Sequence, residues 1–387
     1  TVCAGGMVGN ATGECLFQGC QVSGTQVDGK GEESIAGGLA GSTKGARFES
    51  YTAADGTVKN CTAEDVTVGA KKYAGGIAGY NEGNIVSFEN CQVTLTKVTS
   101  TNGIAGGLAG ADNGTHNADF ENCGIENLMV VSMYNAAGGM LGCKSLGSVT
   151  FNSCTVEKEE SSNIAHNNAE LNGVAINGGS NAGGLLGYTE GDGAKAAFTN
   201  CTVGKDGGES ILTVTATRYA GGLAGDSAGG LFENCRVYNA VVSGTGSEGR
   251  AGGLAGNTSA DKFTDCIVGE GGKVTVTATM YAGGLAGTSN VGPFSSCRVV
   301  NAEVTSSAAR SMAGGLAGDT GATEFSGCTV GKSGEVTVSA ARIAGGLAGN
   351  SWTPGAKFTN CTVGESGKIT VTAGEEAGGV VGYTNAT

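Results

Sequence analysis

The 387-residue chain has little proline, histidine, charge or aromatic content, and each shortage narrows what it can be. Proline occurs twice, at Pro293 and Pro354, so the 74 glycines are not those of a Pro-Gly-rich disordered segment. No three-residue glycine period exists, which excludes collagen. Two histidines and no Cys-x-x-Cys spacing remove zinc-ribbon and thioredoxin-like readings. Charged residues are only 15%, with a formal net charge of −13, a balance that disfavours nucleic acid and anionic membrane as partners. No run of eighteen apolar residues is present, so no segment reads as a membrane-spanning helix. Apolar residues do not recur at 3.6 spacing, and glycine would cost a helix about 1 kcal/mol per position. Thr1-Val2-Cys3 does not resemble a signal peptide. The chain starts and stops inside its own pattern, at CAGGMVG and AGGVVGYTNAT, as expected of a mature product or a fragment.

What the chain has instead is a repeat. A Gly-Gly pair recurs at one repeat position twelve times, from Gly5-Gly6 to Gly378-Gly379, and from Gly221 to Gly345 every step is thirty-one residues. Within these units a cysteine follows the second glycine by thirteen residues. Such regularity points to one small unit stacked many times. In 263–287, VTVTAT alternates apolar and polar β-branched residues, the period of a strand with one buried face. Phe263, Cys266 and Val268 form a second short apolar segment and AGGLAG a third. A unit of about three short strands cannot bury its own apolar face, so it must stack on the next. The expected fold is all-β: a parallel β-solenoid (β-helix) of about twelve stacked ~31-residue repeats over 1–387, with one or two rungs per repeat left open. Leu223, Leu254, Leu285, Leu316 and Leu347 would form one interior stripe, and Phe232, Phe263, Phe294, Phe325 and Phe358 another. The Ala-Gly-Gly corners are expected to use glycine for positive φ and for close backbone approach.

GGLAG followed about a dozen residues later by F-x-N-C or F-x-x-C, then a valine-rich strand, resembles the GLUG motif. That Gly-Leu-any-Gly repeat is found in large bacterial surface proteins, including adhesins. The resemblance covers essentially the whole chain and implies a surface-exposed repeat architecture, not a biochemistry. This chain departs from it by placing Ala where Val is common and by longer units.

Eleven of the fourteen cysteines share one repeat position, among them Cys201, Cys235, Cys266, Cys297, Cys328 and Cys361; Cys3, Cys15 and Cys143 stand outside it. The ladder reads as buried thiols acting as small hydrophobes. Disulfides between neighbouring rungs are the alternative, as are bridges from Cys15 to Cys3 or Cys20 and from Cys143 to a ladder cysteine. Asp112, Asn113, Asn117 and Asp119 gather oxygen donors that suit calcium, against the plainer reading of a solvent-facing polar loop; no other cofactor is implied. His116 and His166 have no nucleophile signature beside them, and carboxylates are not paired by the repeat, so no enzyme is expected. Outward Thr213, Thr215 and Thr217, then Thr275, Thr277 and Thr279, then Thr370 and Thr372, suggest an aligned surface array. It is set against threonine's ordinary preference for exposed strands, and units at 241–247 and 303–311 look irregular. Insertions at 49–58 and 157–181 are expected as loops, the second being the place to look for a partner.

The sequence thus reads as a rigid stalk or fibre, a structural and adhesive region of a secreted or cell-surface bacterial protein. Its expected partners are another copy end to end, or a host protein or glycan. A self-assembling filament through uncapped solenoid ends and an ice-binding face of threonines are the alternative functions.

Overall fold

The computed structural model describes residues 1–83, 86–157, 174–191, 193–207, 212–290 and 292–384. The chain is an all-β parallel β-solenoid of about eleven turns of about 32 residues; twelve Gly-Gly pairs enclose eleven full steps. It divides into two compact units, Thr1–Ala197 and Phe198–Thr387. No helix occurs among the described residues.

In the second unit each turn carries five short strands on four faces, where the sequence suggested three. One turn runs Tyr281–Gly283, Ala286–Ser289, Phe294–Ser295, Arg298–Val299 and Ala302–Ser306. AGGLAG therefore holds two strands joined by a bend at Gly284–Leu285, and the cysteine marks the corner between the third and fourth faces. The strands of this turn pair in parallel with those of the next: Ala282↔Ala313, Ala286↔Ala317, Phe294↔Phe325 and Val299↔Val330. Like sits over like one repeat away, so each repeat makes one rung.

The interior is filled by columns. Leu223, Leu254, Leu285, Leu316 and Leu347 are fully buried. Phe198, Phe232, Phe263, Phe294, Phe325 and Phe358 stack with centroids 4.6–5.0 Å apart and planes within 16°. This matches the strand spacing of about 4.8 Å, and each such contact contributes about 0.5–1.5 kcal/mol beyond area burial. The first unit repeats the plan: Phe17, Phe48, Phe88, Phe120 and Phe151 stack at 4.8–4.9 Å, with Leu39, Ile77, Leu108, Met140 and Leu185 in the leucine position.

Positive φ is not what the paired glycines supply. They are absent from the left-handed residues; the residue before the ladder cysteine is there instead, as at Asn90, Asn122, Asn234, Asp265 and Asn360 (φ 49–53°). Asparagine tolerates that conformation better than other side-chain-bearing residues, which explains F-x-N-C. The glycine pair answers to space. A Cβ on Gly284 would stand 2.0 Å from the Gly315 carbonyl oxygen, and one on Gly283 1.9 Å from that of Ala286.

The constant repeat length hides a trade between two corners. From Val268 to Val274 the chain takes a long corner and from Ala278 to Tyr281 a short one. The next turn reverses this, short from Val299 to Ala302 and long from Ser306 to Met312. The apparent irregularity of 241–247 and 303–311 is this shift of loop residues from one corner to the other.

The 49–58 insertion forms an antiparallel hairpin, Val58↔Thr52 and Lys59↔Tyr51, standing exposed off the coil. The 157–181 insertion is narrower than expected. Val174–Gly178 already pairs in register with the turn before it, Ile176 against Val130, and residues 158–173, with His166, lie outside the described residues.

Gly284→Ala should cost at least about 3 kcal/mol, the upper end for overpacking, because backbone rather than a yielding side chain blocks the methyl. Gly13→Ala, with nothing within 4 Å of the added Cβ, should leave the urea midpoint unchanged. Equal midpoints for both variants would contradict this packing.

Candidate functional site

The groups with most chemical potential are turned inward. Each ladder thiol donates to carbonyls at the corner: Cys235 Sγ to Phe198 O and Glu233 O at 3.4 Å, Cys266 Sγ to Phe232 O at 3.4 Å, Cys123 Sγ to Phe88 O at 3.2 Å. Among the ladder members only Cys20 and Cys361 are not buried, and all fourteen cysteines are free thiols. Burial pushes the thiols of Cys91, Cys123, Cys235 and Cys297 well above their ordinary value.

The bridges suggested for the other cysteines are not formed, and the faces explain why for Cys143. It pairs with Ala111 and Tyr188 on the second face, where it packs with Ile104, Ala111, Tyr73, Tyr80 and Tyr188. Burial raises its thiol to about 12.

The calcium expectation for Asp112, Asn113, Asn117 and Asp119 is overturned. Asp112 is 1% exposed and faces inward, where Asn81 Nδ2 and Gly114 N donate to its Oδ1, at 2.7 and 3.0 Å, and Lys144 Nζ pairs with its Oδ2. Asp119 is exposed on the third face. An ammonium already neutralises the one buried carboxylate, and the other is turned to solvent. Among the described residues no group of three or more His, Cys, Asp or Glu could hold a metal. Lys144 has no motif around it and was missed; only its alignment one repeat after Asp112 could have flagged it.

The threonines lie on the fourth face of the second unit, in two outward columns. One runs Thr213, Val241, Thr275, Glu303, Thr337 and Thr370. Val241 and Glu303 interrupt it, and Lys273 Nζ pairs with Glu303 at 2.6 Å. The other runs Thr215, Ser243, Thr277, Thr305, Ser339 and Thr372, a hydroxyl at every turn. Thr217 and Thr279 fall in the bends after their strands and outside both columns.

Beside this face the corner trade opens a notch. The short corner at Val300–Asn301 lies between long ones at Gly269–Gly272 and Lys332–Gly334, leaving a cavity of about 440 Å³. Glu270 spans its edge, accepting from Arg236 Nη1 at 3.4 Å and from Arg298 Nη2 at 3.3 Å. Lys332 and Asn301 complete a polar lining. Notch and hydroxyl column share one face and together form an exposed polar surface.

A groove between the first and second faces carries further aromatic and charged groups. In the first unit Tyr73 and Tyr80 stack at 4.7 Å beside a cavity of about 370 Å³ that Lys72, Lys44 and Glu82 also line. In the second, Arg250 sits between the rings of Tyr219 and Tyr281, at 5.2 and 5.3 Å, and donates to Asn257 Oδ1 at 2.9 Å. Asn257 donates to Asp226, whose carboxyl burial raises above the usual carboxylate range.

Compared with models of known protein families, with curated proteins and with solved structures, the chain finds no match.

The raised thiol pKa values carry a sign. The folded chain holds protons that an unfolded thiol, near pKa 8.5, would release. That stabilisation is complete below about pH 8.5 and is lost as pH rises through the folded values. Cys91, Cys123, Cys235 and Cys297 should therefore make the melting temperature fall as pH rises above about 8.5, a fall to which Cys61, lowered to about 7 by its hydrogen bond with Cys91, does not contribute. With a thiol-exchange reagent at neutral pH, Cys3, Cys15, Cys20 and Cys361 should react first, the other ten only on unfolding. Rapid reaction of all fourteen would refute the buried ladder.

Proposed function

We propose that the chain is a structural and adhesive repeat region of a secreted or cell-surface protein. In this reading the coil supplies stiffness and the fourth face of the second unit supplies contact with a polyhydroxylated polymer, a glycan. The carrying observation is the outward column Thr215, Ser243, Thr277, Thr305, Ser339 and Thr372 beside the Glu270–Arg298–Lys332 notch. Hydroxyls repeated about every 4.8 Å along a rigid sheet present donors and acceptors at a fixed pitch. Charged and amide groups at one edge add directional hydrogen bonds of the kind that orient a ligand. The inward use of thiols, leucines and phenylalanines fits a scaffold whose chemistry is spent on its own packing. The resemblance of GGLAG and F-x-N-C to GLUG repeats supports a surface location.

A second reading, ice binding, draws on the same unbroken hydroxyl column. Val241 and Glu303 in the adjacent column favour the glycan, since an ion pair and a methyl-only position break a regular hydroxyl lattice.

On a glycan array the intact chain should bind a restricted set of polymers. Arg298→Ala and Thr277→Tyr should each weaken that binding at least about tenfold, a loss of about 1.4 kcal/mol, without lowering the melting temperature. Binding unchanged in both variants would move the contact elsewhere, and thermal hysteresis without glycan binding would select the ice reading. Membrane-impermeant biotin should label the protein on intact producing cells; labelling only after lysis would reject the surface assignment.

A further inference from the structure

The inward column of the second face differs between the units. In the second it is Ser227, Thr258, Ser289, Thr320 and Ser351, hydroxyls throughout. In the first, Thr43, Asn81, Asp112 and Lys144 occupy consecutive turns in register. Lys144 is 0% and Asp112 1% exposed, which makes them a fully buried ion pair with no bulk water around either charge. Desolvating both charges opposes the pair unless each is fully hydrogen-bonded, and removing both charges together would relieve that penalty.

We propose that Lys144 and Asp112 condense without a cofactor into an intramolecular amide that ties two consecutive turns together. The geometry supplies three requirements of acyl transfer. The nucleophile is held: Lys144 Nζ pairs with Asp112 Oδ2 and donates to Gly114 O at 2.8 Å and His116 O at 2.9 Å. Such positioning replaces a bimolecular encounter by an intramolecular one. The oxyanion is anticipated: Asn81 Nδ2–H and Gly114 N–H both point at Oδ1, at 2.7 and 3.0 Å, the arrangement that stabilises charge developing on a carbonyl oxygen. Water is excluded from the pair itself, while Asn113, Thr115 and His116 of the covering loop are exposed and offer the product water a short way out.

The step balances. One ammonium proton passes to Oδ2, the neutral amine attacks Cγ, and Oδ1 carries the negative charge of the tetrahedral intermediate. A second nitrogen proton goes to Oδ2, the Cγ–Oδ2 bond breaks, and one water leaves. The third proton stays on the amide nitrogen, where it can donate to one of the two loop carbonyls. Nothing is oxidised or reduced. Asn81 and Gly114 are positioning groups, and Lys144 and Asp112 are the reacting ones.

The test is the mass of the whole purified chain, reduced and denatured. Most molecules should weigh one water less than the sequence. A tryptic map should show a branched peptide joining the segment of Asp112 to that of Lys144, with no cleavage after Lys144. The double variant Asp112→Leu, Lys144→Met removes both charges together and should match its own sequence mass. A wild-type mass equal to the sequence would overturn the proposal. So would a water loss mapping to a linear peptide, such as the Asp55-Gly56 segment, or one that persists in the double variant.

Discussion

Everything in this protein follows from the in-register hydrogen bonding of one turn to the next. With parallel strands about 4.8 Å apart, any residue has its own equivalent as its nearest neighbour along the axis. That requirement selects side chains more strictly than hydrophobicity alone. Phenylalanine qualifies because flat rings stack at nearly the strand spacing, 4.6–5.0 Å in the second unit. Leucine qualifies at the bend because its neighbours above and below are also fully buried leucines. At Gly284 nothing larger than hydrogen qualifies, since the backbone of the next turn already fills the space.

Cysteine at the corner follows the same logic with one addition. The corner turns through a left-handed residue such as Asn234 or Asp265, which brings strand-end carbonyls within reach of the cysteine side chain. A thiol is small enough to sit in the column and donates weakly to those carbonyls, as Cys235 does to Phe198 and Glu233. Serine would donate more strongly, but it would bring a hydroxyl whose desolvation is costlier, and the corner's apolar neighbours give its lone pairs no donors. The raised thiol pKa values are a consequence of that burial, not a sign of reactivity.

Much of this is legible in the sequence alone. The thirty-one-residue step, the alternation of VTVTAT and the aligned phenylalanines imply stacked strands, because a period that exact leaves no room for separate cores. Two things were not legible. Of the two reasons expected for the glycine pair, positive φ and close backbone approach, only the second holds, since composition reports that a position tolerates no side chain but not whether φ or space forbids it. The corner trade between Val268–Val274 and Ser306–Met312 was also hidden, because the two length changes cancel within one period. It was therefore read as irregular sequence when it is regular structure. The notch at Glu270 and the continuity of the hydroxyl column through Ser243, Thr305 and Ser339 depend on that trade, so the candidate surface could not be found without the register.

The polar column inside the second face shows how far the stacking rule reaches. A hydroxyl can donate along the axis, as Ser227 Oγ does to Thr258 Oγ1 at 2.9 Å, or accept from the corner backbone, as Thr258 and Thr320 do from Ala260 N and Ala322 N, so serine and threonine can be repeated turn after turn. A charge cannot be treated in this way, because its own kind in the next turn would repel it inside a low-dielectric interior. A buried charge in a solenoid must therefore sit next to its opposite and be closed off on the far side by a neutral group. Asp112 meets both conditions, with Lys144 on one side and Asn81 on the other. Thr43 then returns the column to hydroxyl by donating to Asn81 at 3.0 Å. The register that forbids a repeated charge is the same register that brings these two opposite charges together. An exception to the repeat can persist in the interior only as a complementary pair.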